Sequence, residues 1–291
     1  MDYKTYVKTV TEGVKAELGE SIDVSLTKTV KNNLTLEGLV CKGECEAAPV
    51  IYISDQYDPD RDNTQDIIKY VCNIYRDLSK SEHRIAAPGN ELFDWKYVKD
   101  RVKFMIVSEA GNEALLMDKP YLTEAGLALV FYIELGSAVP KKTVKITNSH
   151  LKALGVTVDD LYEAAKGNMK RFHIDSIGHI IEGILGEGAI EGKHPEMYVL
   201  SSEDWIFGAA QLLVPDVMSE IGGNLGVSKA TVFPSSIHEA IILVGDENDQ
   251  DFDYLAQMVK TINNEAVNLE EKLSDNVFVY DFETNTLTIA A

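Results

Sequence analysis

The chain has 291 residues, 45% of them hydrophobic and 25% charged, with 8 Pro and 20 Gly. That is globular composition, which excludes collagen-like, low-complexity and mini-protein classes; the length is about twice that of a usual domain, so two lobes are expected. The 47 Asp and Glu against 27 Lys and Arg leave a net charge of -20, which argues against direct binding to nucleic acid or to an anionic membrane surface. The first ten residues contain neither an apolar signal region nor a cleavage site of small residues, and the most apolar runs, Leu127 to Leu135 and Ala240 to Val244, fall far short of the ~20 residues that a membrane-spanning helix needs. Cys41, Cys45 and Cys72 form no recognised metal pattern. In a cytoplasmic protein they read as free thiols, with a Cys41 to Cys45 disulfide across a hairpin as the less favoured reading.

In chain order, Tyr6, Val7, Val10, Val14 and Leu18 recur at helical spacing over residues 3 to 18, and Gly19 stops the pattern. Ile22 to Val30 and Leu34 to Cys41 then predict a hairpin about Asn32 and Asn33, followed by a short strand at Val50 to Ile53. After an acidic loop, Ile67, Ile68, Val71, Ile74, Tyr75 and Leu78 predict a second helix capped at Asn63 or Thr64. Residues 93 to 116 fit either a helix and a strand or two strands, and Leu127 to Leu135 reads as a buried strand. Thr147 or Asn148 caps a short helix ended by Gly155, Thr157 and Asp160 form a capping pattern for the next, and Asp175 or Ser176 opens a helix with an Ile177, Ile180, Ile181, Ile184 face.

Four glycines and Pro195 between residues 183 and 195 have linker composition. They divide the chain into an N-terminal α+β lobe, 1–182, and an acidic C-terminal α+β lobe, 196–291. In the second lobe the pattern predicts a strand at Met197 to Leu200, then a helix from Ser202 through Trp205, Ile206, Ala209 and Leu213 that Pro215 ends or kinks before it restarts through Ile221. Strands at Thr231 to Phe233 and Glu239 to Val244, a helix over Phe252 to Ile262 and a hairpin about Thr284 and Asn285 complete it. The expected architecture is an antiparallel sheet with helices on one face.

Residues 196–291 hold 17 acidic and 3 basic side chains, a net of -14, against -6 for residues 1–195. A solvated surface accounts for such an excess, and a docking face for a basic partner is the sharper reading. Its candidate residues are Asp246, Glu247, Asp249, Asp251, Asp253, Glu270 and Glu271, and its partner could be a nucleic-acid-binding protein whose groove negative charge would steer.

The chemical motifs are incomplete. Asp58, Asp60 and Asp62 imitate the start of a calcium loop, but Asn63 stands where the turn wants Gly and Lys69 where it wants a bidentate Glu. Asp175, His179 and Glu182 share a helical face without matching a zinc pattern. Ser236, His238 and Glu239 place a hydroxyl, an imidazole and a carboxylate within four residues, which suggests a hydrolase. In an extended segment, however, Ser236 and His238 stand roughly 6.5–7 Å apart and Glu239 points to the other face. The competing reading is a Pro-Ser turn in which His238 pins two strands. With neither a Walker loop nor a dinucleotide fingerprint, no cofactor is expected.

Met197-Tyr-Val-Leu-Ser, Phe207-Gly-Ala-Ala, Pro215-Asp-Val and Phe233-Pro-Ser-Ser-Ile-His-Glu-Ala resemble an uncharacterised family of Clostridia proteins defined by a domain of unknown function. The similarity extends forward through Leu36-Glu-Gly-Leu-Val, Ala48-Pro-Val-Ile-Tyr-Ile, Leu127-Ala-Leu-Val-Phe-Tyr and Thr147-Asn-Ser-His-Leu, with Phe233 where the family is expected to carry Leu. The resemblance implies a bacterial cytoplasmic protein, often from genomes rich in mobile elements, and transfers no activity or catalytic residue. A non-enzymatic interaction or regulatory protein is therefore the leading expectation, and a hydrolase on Ser236, His238 and Glu239 the alternative.

Overall fold

The computed structural model describes residues 1–43, 48–80, 89–135, 142–185, 196–234, 236–245 and 250–291. It comprises two compact units, Met1–Asn90 and Glu91–Ala291.

In the first unit, helix α1 (Tyr3–Leu18) starts where the Asp2 carboxylate accepts the Thr5 N–H and stops at Gly19, whose φ of 83° is unfavourable for other residues. Strands β1 (Asp23–Lys31) and β2 (Leu34–Lys42) pair in register from Asp23 opposite Lys42 to Lys31 opposite Leu34. This leaves the two-residue turn Asn32 and Asn33, with Asn33 at φ 62°. Strand β3 (Val50–Tyr52) adds to the outer edge of β2. In helix α2 (Thr64–Lys80) the first-turn backbone is secured by Asp62, which accepts from both the Thr64 N–H and its hydroxyl. Asp62 is thus a helix-start carboxylate, and Asp58 accepts the Asp60 N–H in a local turn. The core joins Tyr6, Val10 and Val14 of α1, Val24, Leu39 and Ile51 of the sheet, and Ile68, Val71 and Cys72 of α2. These are the inward positions of a 3.6-residue and a 2-residue period.

The second unit begins with one helical turn, α3 (Trp95–Val98), capped by Asp94, and strand β4 (Val102–Ser108). A second single turn, α4 (Glu113–Leu116), leads to β5 (Tyr121–Glu124), β6 (Leu127–Leu135) and β7 (Lys142–Lys145). Leu127 to Ile133 are all buried, since β6 is central: β4 pairs along one edge, while β5 and β7 share the other. Helices α5 (Asn148–Leu154) and α6 (Val158–Asn168) both open with capping boxes, Thr147 with His150 and Thr157 with Asp160. Strand β8 (Phe172–Ser176), helix α7 (Ile177–Leu185) and strand β9 (Glu196–Ser202) follow. The last part contains α8 (Pro215–Leu225), β10 (Lys229–Phe233), β11 (Glu239–Val244), α9 (Phe252–Ala266), β12 (Phe278–Asp281) and β13 (Thr286–Ile289). Its six-stranded sheet runs β13-β12-β10-β11-β9-β8. All strand pairings among the described residues are antiparallel, so the fold is α+β as the sequence suggests.

Two expectations are corrected. The compact units divide between Asn90 and Glu91, not at 183–195; residues 186–195 lie outside the described residues. Strand β8 pairs with β9 from Phe172 opposite Ser202 to Ser176 opposite Tyr198, so five residues of the expected N-terminal lobe form an edge of the C-terminal sheet. Glycine-rich composition does not by itself place a domain boundary, which depends on which surfaces pack. The expected helix from Ser202 is also absent. Residues 203–207 form a turn, followed by a wholly buried 3-10 helix at Gly208–Leu213, and Pro215 occupies the first position of α8, where its missing N–H costs nothing.

Burial sets the alkaline limit of the first unit. It raises the Cys41 thiol to about 11, with Cys72 nearby adding to the effect. Burial likewise raises the Tyr3 and Tyr6 phenols to about 12, aided at Tyr3 by the bond its hydroxyl donates to Glu37 and at Tyr6 by the Asp55 charge. The folded unit therefore keeps these protons after the unfolded chain begins to lose them, from the ordinary values of 9.0 and 10.0. Their stabilisation is complete below the unfolded values and is lost as pH rises through the folded ones. Urea unfolding followed at increasing pH is expected to show a falling midpoint across this window, with a shallower fall in Tyr6→Phe. An unchanged midpoint would contradict the assignment.

Candidate functional site

The Ser236, His238 and Glu239 segment connects β10 to β11. Ser236 forms an isolated antiparallel bridge with Lys272, and the Ile237 N–H donates to the Glu271 carbonyl at 2.8 Å. The Ser236 hydroxyl accepts the His238 backbone N–H at 3.1 Å, which is the hydroxyl turn expected of a Pro-Ser sequence. His238 Nδ1 accepts the Phe207 backbone N–H at 3.2 Å, and its ring stacks on Phe207 with centroids 5.6 Å apart and planes 11° from parallel. A neutral imidazole that accepts at Nδ1 carries its proton on Nε2. That nitrogen lies 4.0 Å from Glu271 Oε1. The His238 carbonyl accepts the Gly208 N–H at 2.9 Å and the Ser201 hydroxyl at 2.7 Å. Glu239 is half-buried in β11, opposite Ser201.

The structure thus brings His238 together with Phe207, Gly208, Ser201 and Glu271. The Ser236 hydroxyl is engaged by backbone and the acceptor nitrogen of the ring by another backbone group, so neither is committed to a nucleophile-base pair. Sequence reasoning singled out His238 but not the turn it holds, since no linear spacing relates residue 238 to residues 201, 207 and 271.

That turn is strained. Trp205 and Phe207 have φ of 59° and 55°, a left-handed geometry that costs roughly 1–2 kcal/mol for each side chain with a Cβ. Three local contacts hold it: the Trp205 N–H donates to the Ser202 carbonyl at 3.1 Å, the Ile206 N–H donates to the Ser202 hydroxyl at 3.1 Å, and that hydroxyl donates to the Ile206 carbonyl at 2.9 Å. The Trp205 ring lies 4.8 Å from that of His173. Gly208 packs so closely that a Cβ would stand 2.5 Å from the His238 carbonyl oxygen and nearer still to Ser201 Oγ and Ser202 N.

Of the seven candidate acidic residues, Asp246, Glu247 and Asp249 lie outside the described residues. Asp251 caps α9 by accepting the Tyr254 N–H at 3.0 Å, and Asp253 is exposed in its first turn. Glu270 and Glu271 follow the other end of α9. A 15-residue helix is about 22 Å long, so these carboxylates occupy its two ends rather than one patch. Between them Tyr254, Met258 and Ile262 are 64%, 37% and 50% exposed, and their i, i+4, i+8 spacing puts them on one side of the helix. Where β8 passes into α7, the Asp175 carboxylate bonds His179 Nδ1 at 3.0 Å, which lowers the Asp175 pKa and raises that of His179. Among the described residues no group of three or more His, Cys, Asp or Glu side chains has metal-holding geometry, and no helix is long and apolar enough to cross a membrane.

Fold and site together define an α+β protein of antiparallel sheets with a histidine-held turn between β9 and α8. The chain belongs to a family of unknown function, DUF5688, whose family model matches residues 3–282. No curated protein and no solved structure matches it.

The contacts rank two substitutions. Gly208→Ala forces a methyl group against backbone and is expected to destabilise the protein by about 2–3 kcal/mol. Ser236→Ala removes one half-buried acceptor and should cost at most about 1 kcal/mol. Urea unfolding monitored by tryptophan fluorescence checks the order; equal losses would show that Gly208 is not packed against the His238 carbonyl and β9 as described.

Proposed function

We propose that the protein is a non-enzymatic interaction protein whose acidic C-terminal region docks a basic, amphipathic segment of a partner protein along α9. The observation that carries this reading is the exposed Tyr254, Met258 and Ile262 stripe with carboxylates at both ends. Asp251 precedes the stripe by three residues and Glu265 follows it by three, on the same side of the helix, with Asp253 beside the first turn. Exposed apolar side chains rimmed by charge suit a partner helix that buries its own apolar face and presents Lys or Arg around it. A net of -14 over residues 196–291 favours approach by such a segment and disfavours nucleic acid itself. Proteins that bind nucleic acid carry segments of this kind, so one of them is the proposed partner class. The proposed setting is the bacterial cytoplasm, on the strength of the Clostridia resemblance. The hydrolase alternative has less support, because the Ser236 hydroxyl and His238 Nδ1 both accept backbone N–H groups.

The test uses a labelled helical peptide of Leu and Lys, with a Lys and Ser peptide of equal charge as control, in fluorescence anisotropy against the full chain. The Leu and Lys peptide is expected to bind more tightly, to weaken with salt as charge pairs are screened, and to lose about tenfold or more in affinity, or about 1.4 kcal/mol, when Tyr254, Met258 and Ile262 are all changed to Ser. Exposed positions tolerate such changes with little effect on folding. Equal affinity of the wild type and the triple variant would sink the proposal.

A further inference from the structure

Within the second unit a cavity of about 380 Å³ lies against the strained turn, with Lys103 of β4, Tyr132 and Glu134 of β6, and Ser202, Phe207 and Gln211 among its walls. Its size falls at the lower end of small-molecule sites, roughly 300–1,000 Å³. Gln211 is 1% exposed and its Nε2 donates to the Arg171 carbonyl at 3.1 Å, yet its Oε1 has no hydrogen-bond partner. A buried acceptor left without a donor is costly and calls for an explanation.

The lining also has a sign. Among the described lining residues, two cations, Lys103 and Arg171, stand with three carboxylates, Glu134, Glu203 and Asp204; Lys103 pairs with Glu134 at 2.9 Å and Arg171 with Glu203 at 3.4 Å. Burial, with the Glu134 and Asp204 charges adding to it, raises the Tyr132 phenol far above its ordinary value, so the hydroxyl keeps its proton at this wall. The Tyr132 ring packs edge-on to Phe207 at 5.4 Å, which leaves two aromatic rings in the lining. Cations favour such surroundings. The wall that carries Phe207 is the one held at positive φ, and strain of this kind concentrates at ligand sites.

We propose that this cavity binds a small organic amine or guanidine whose N–H donors reach Gln211 Oε1 and the carboxylate wall. An anion would meet three carboxylates among the described lining residues, and a purely apolar molecule leaves the Gln211 oxygen unpaired. The cavity residues are separate from the α9 stripe, so the site stands or falls independently of partner docking.

Agmatine, which carries a guanidinium and an ammonium group, is the test compound, titrated calorimetrically into the full chain at moderate salt with glucose and glutarate as neutral and anionic comparisons. One saturable agmatine site per chain is expected, weakened about tenfold or more in Gln211→Met and in Glu134→Gln and unchanged in the α9 triple variant. Should Gln211→Met fail to fold, the side-chain amide resonances of Gln211 in the wild-type protein serve instead, and they are expected to shift on adding agmatine. Absence of saturable agmatine binding, binding that ignores Glu134→Gln, unshifted Gln211 resonances, or tighter binding of glutarate or glucose would each overturn the proposal.

Discussion

Two successive backbone N–H groups, those of Phe207 and Gly208, converge on His238, one on its imidazole and one on its carbonyl. Much of the C-terminal sheet depends on that convergence. β9 ends at Ser202 and β11 begins at Glu239, directly after His238, so the residue that opens one strand also receives the chain as it leaves the other. The Ser201 hydroxyl donates to the same carbonyl, extending the β9 and β11 ladder past its last backbone pair, Glu239 opposite Ser201. With the turn fixed, the chain enters the 3-10 helix at an angle that buries all six of its residues, Gln211 included. A left-handed Phe207 is thus tolerated because its N–H has a partner that an ordinary helical continuation would not reach.

The first unit is organised differently. Its core is built from two amphipathic helices on a three-stranded sheet, with the Cys41 and Cys72 thiols inside it, and two of its tyrosines are anchored at their tips. The Tyr6 hydroxyl donates to the Ile53 carbonyl at 2.9 Å and the Tyr3 hydroxyl to Glu37 at 2.9 Å, while both rings pack on Tyr57. Aromatic bodies add buried area where a small unit has little, and their hydroxyls donate to acceptors within it.

Elements governed by local periodicity and capping were legible in the sequence. The Asn32 and Asn33 hairpin, the Thr147 cap, the Thr157 and Asp160 box and the α9 pattern each depend on residues within a few positions of one another. Three strands were not legible. β5 and β7 have four residues each and β8 five, and they are strands because a neighbour supplies the ladder, a non-local condition that propensity does not record. The helix expected from Ser202 failed for a related reason: Trp205, Ile206 and Ala209 have helical spacing, but bonds from residue 238 to the turn override it. The hydrolase motif is legible as a list of residue types, and so is the competing Pro-Ser turn in which His238 pins two strands. Its partners Phe207 and Glu271 are fixed only in three dimensions.

The surplus of negative charge also needs decomposition before it means a surface. Several of the carboxylates after residue 195 have local tasks: Asp251 caps α9, Asp281 accepts the Glu283 and Thr284 N–H groups, Asp275 pairs with Lys272, Asp216 with Lys170 and Glu203 with Arg171. Helix starts and turns favour carboxylates for reasons unrelated to partners, so a net charge counted from sequence overstates any docking face. Helix α9 carries more than a charge count: a juxtaposition that local stability does not require. Val259 and Asn263 turn inward and anchor the helix, with the Asn263 amide donating to the Ser274 carbonyl and to Asp275. Tyr254, Met258 and Ile262 remain outside at positions where polar residues would serve an isolated helix better. In the proposed docking, charge would select the sign of the partner and the apolar stripe its shape, and only the combination would distinguish a docking helix from a merely soluble one.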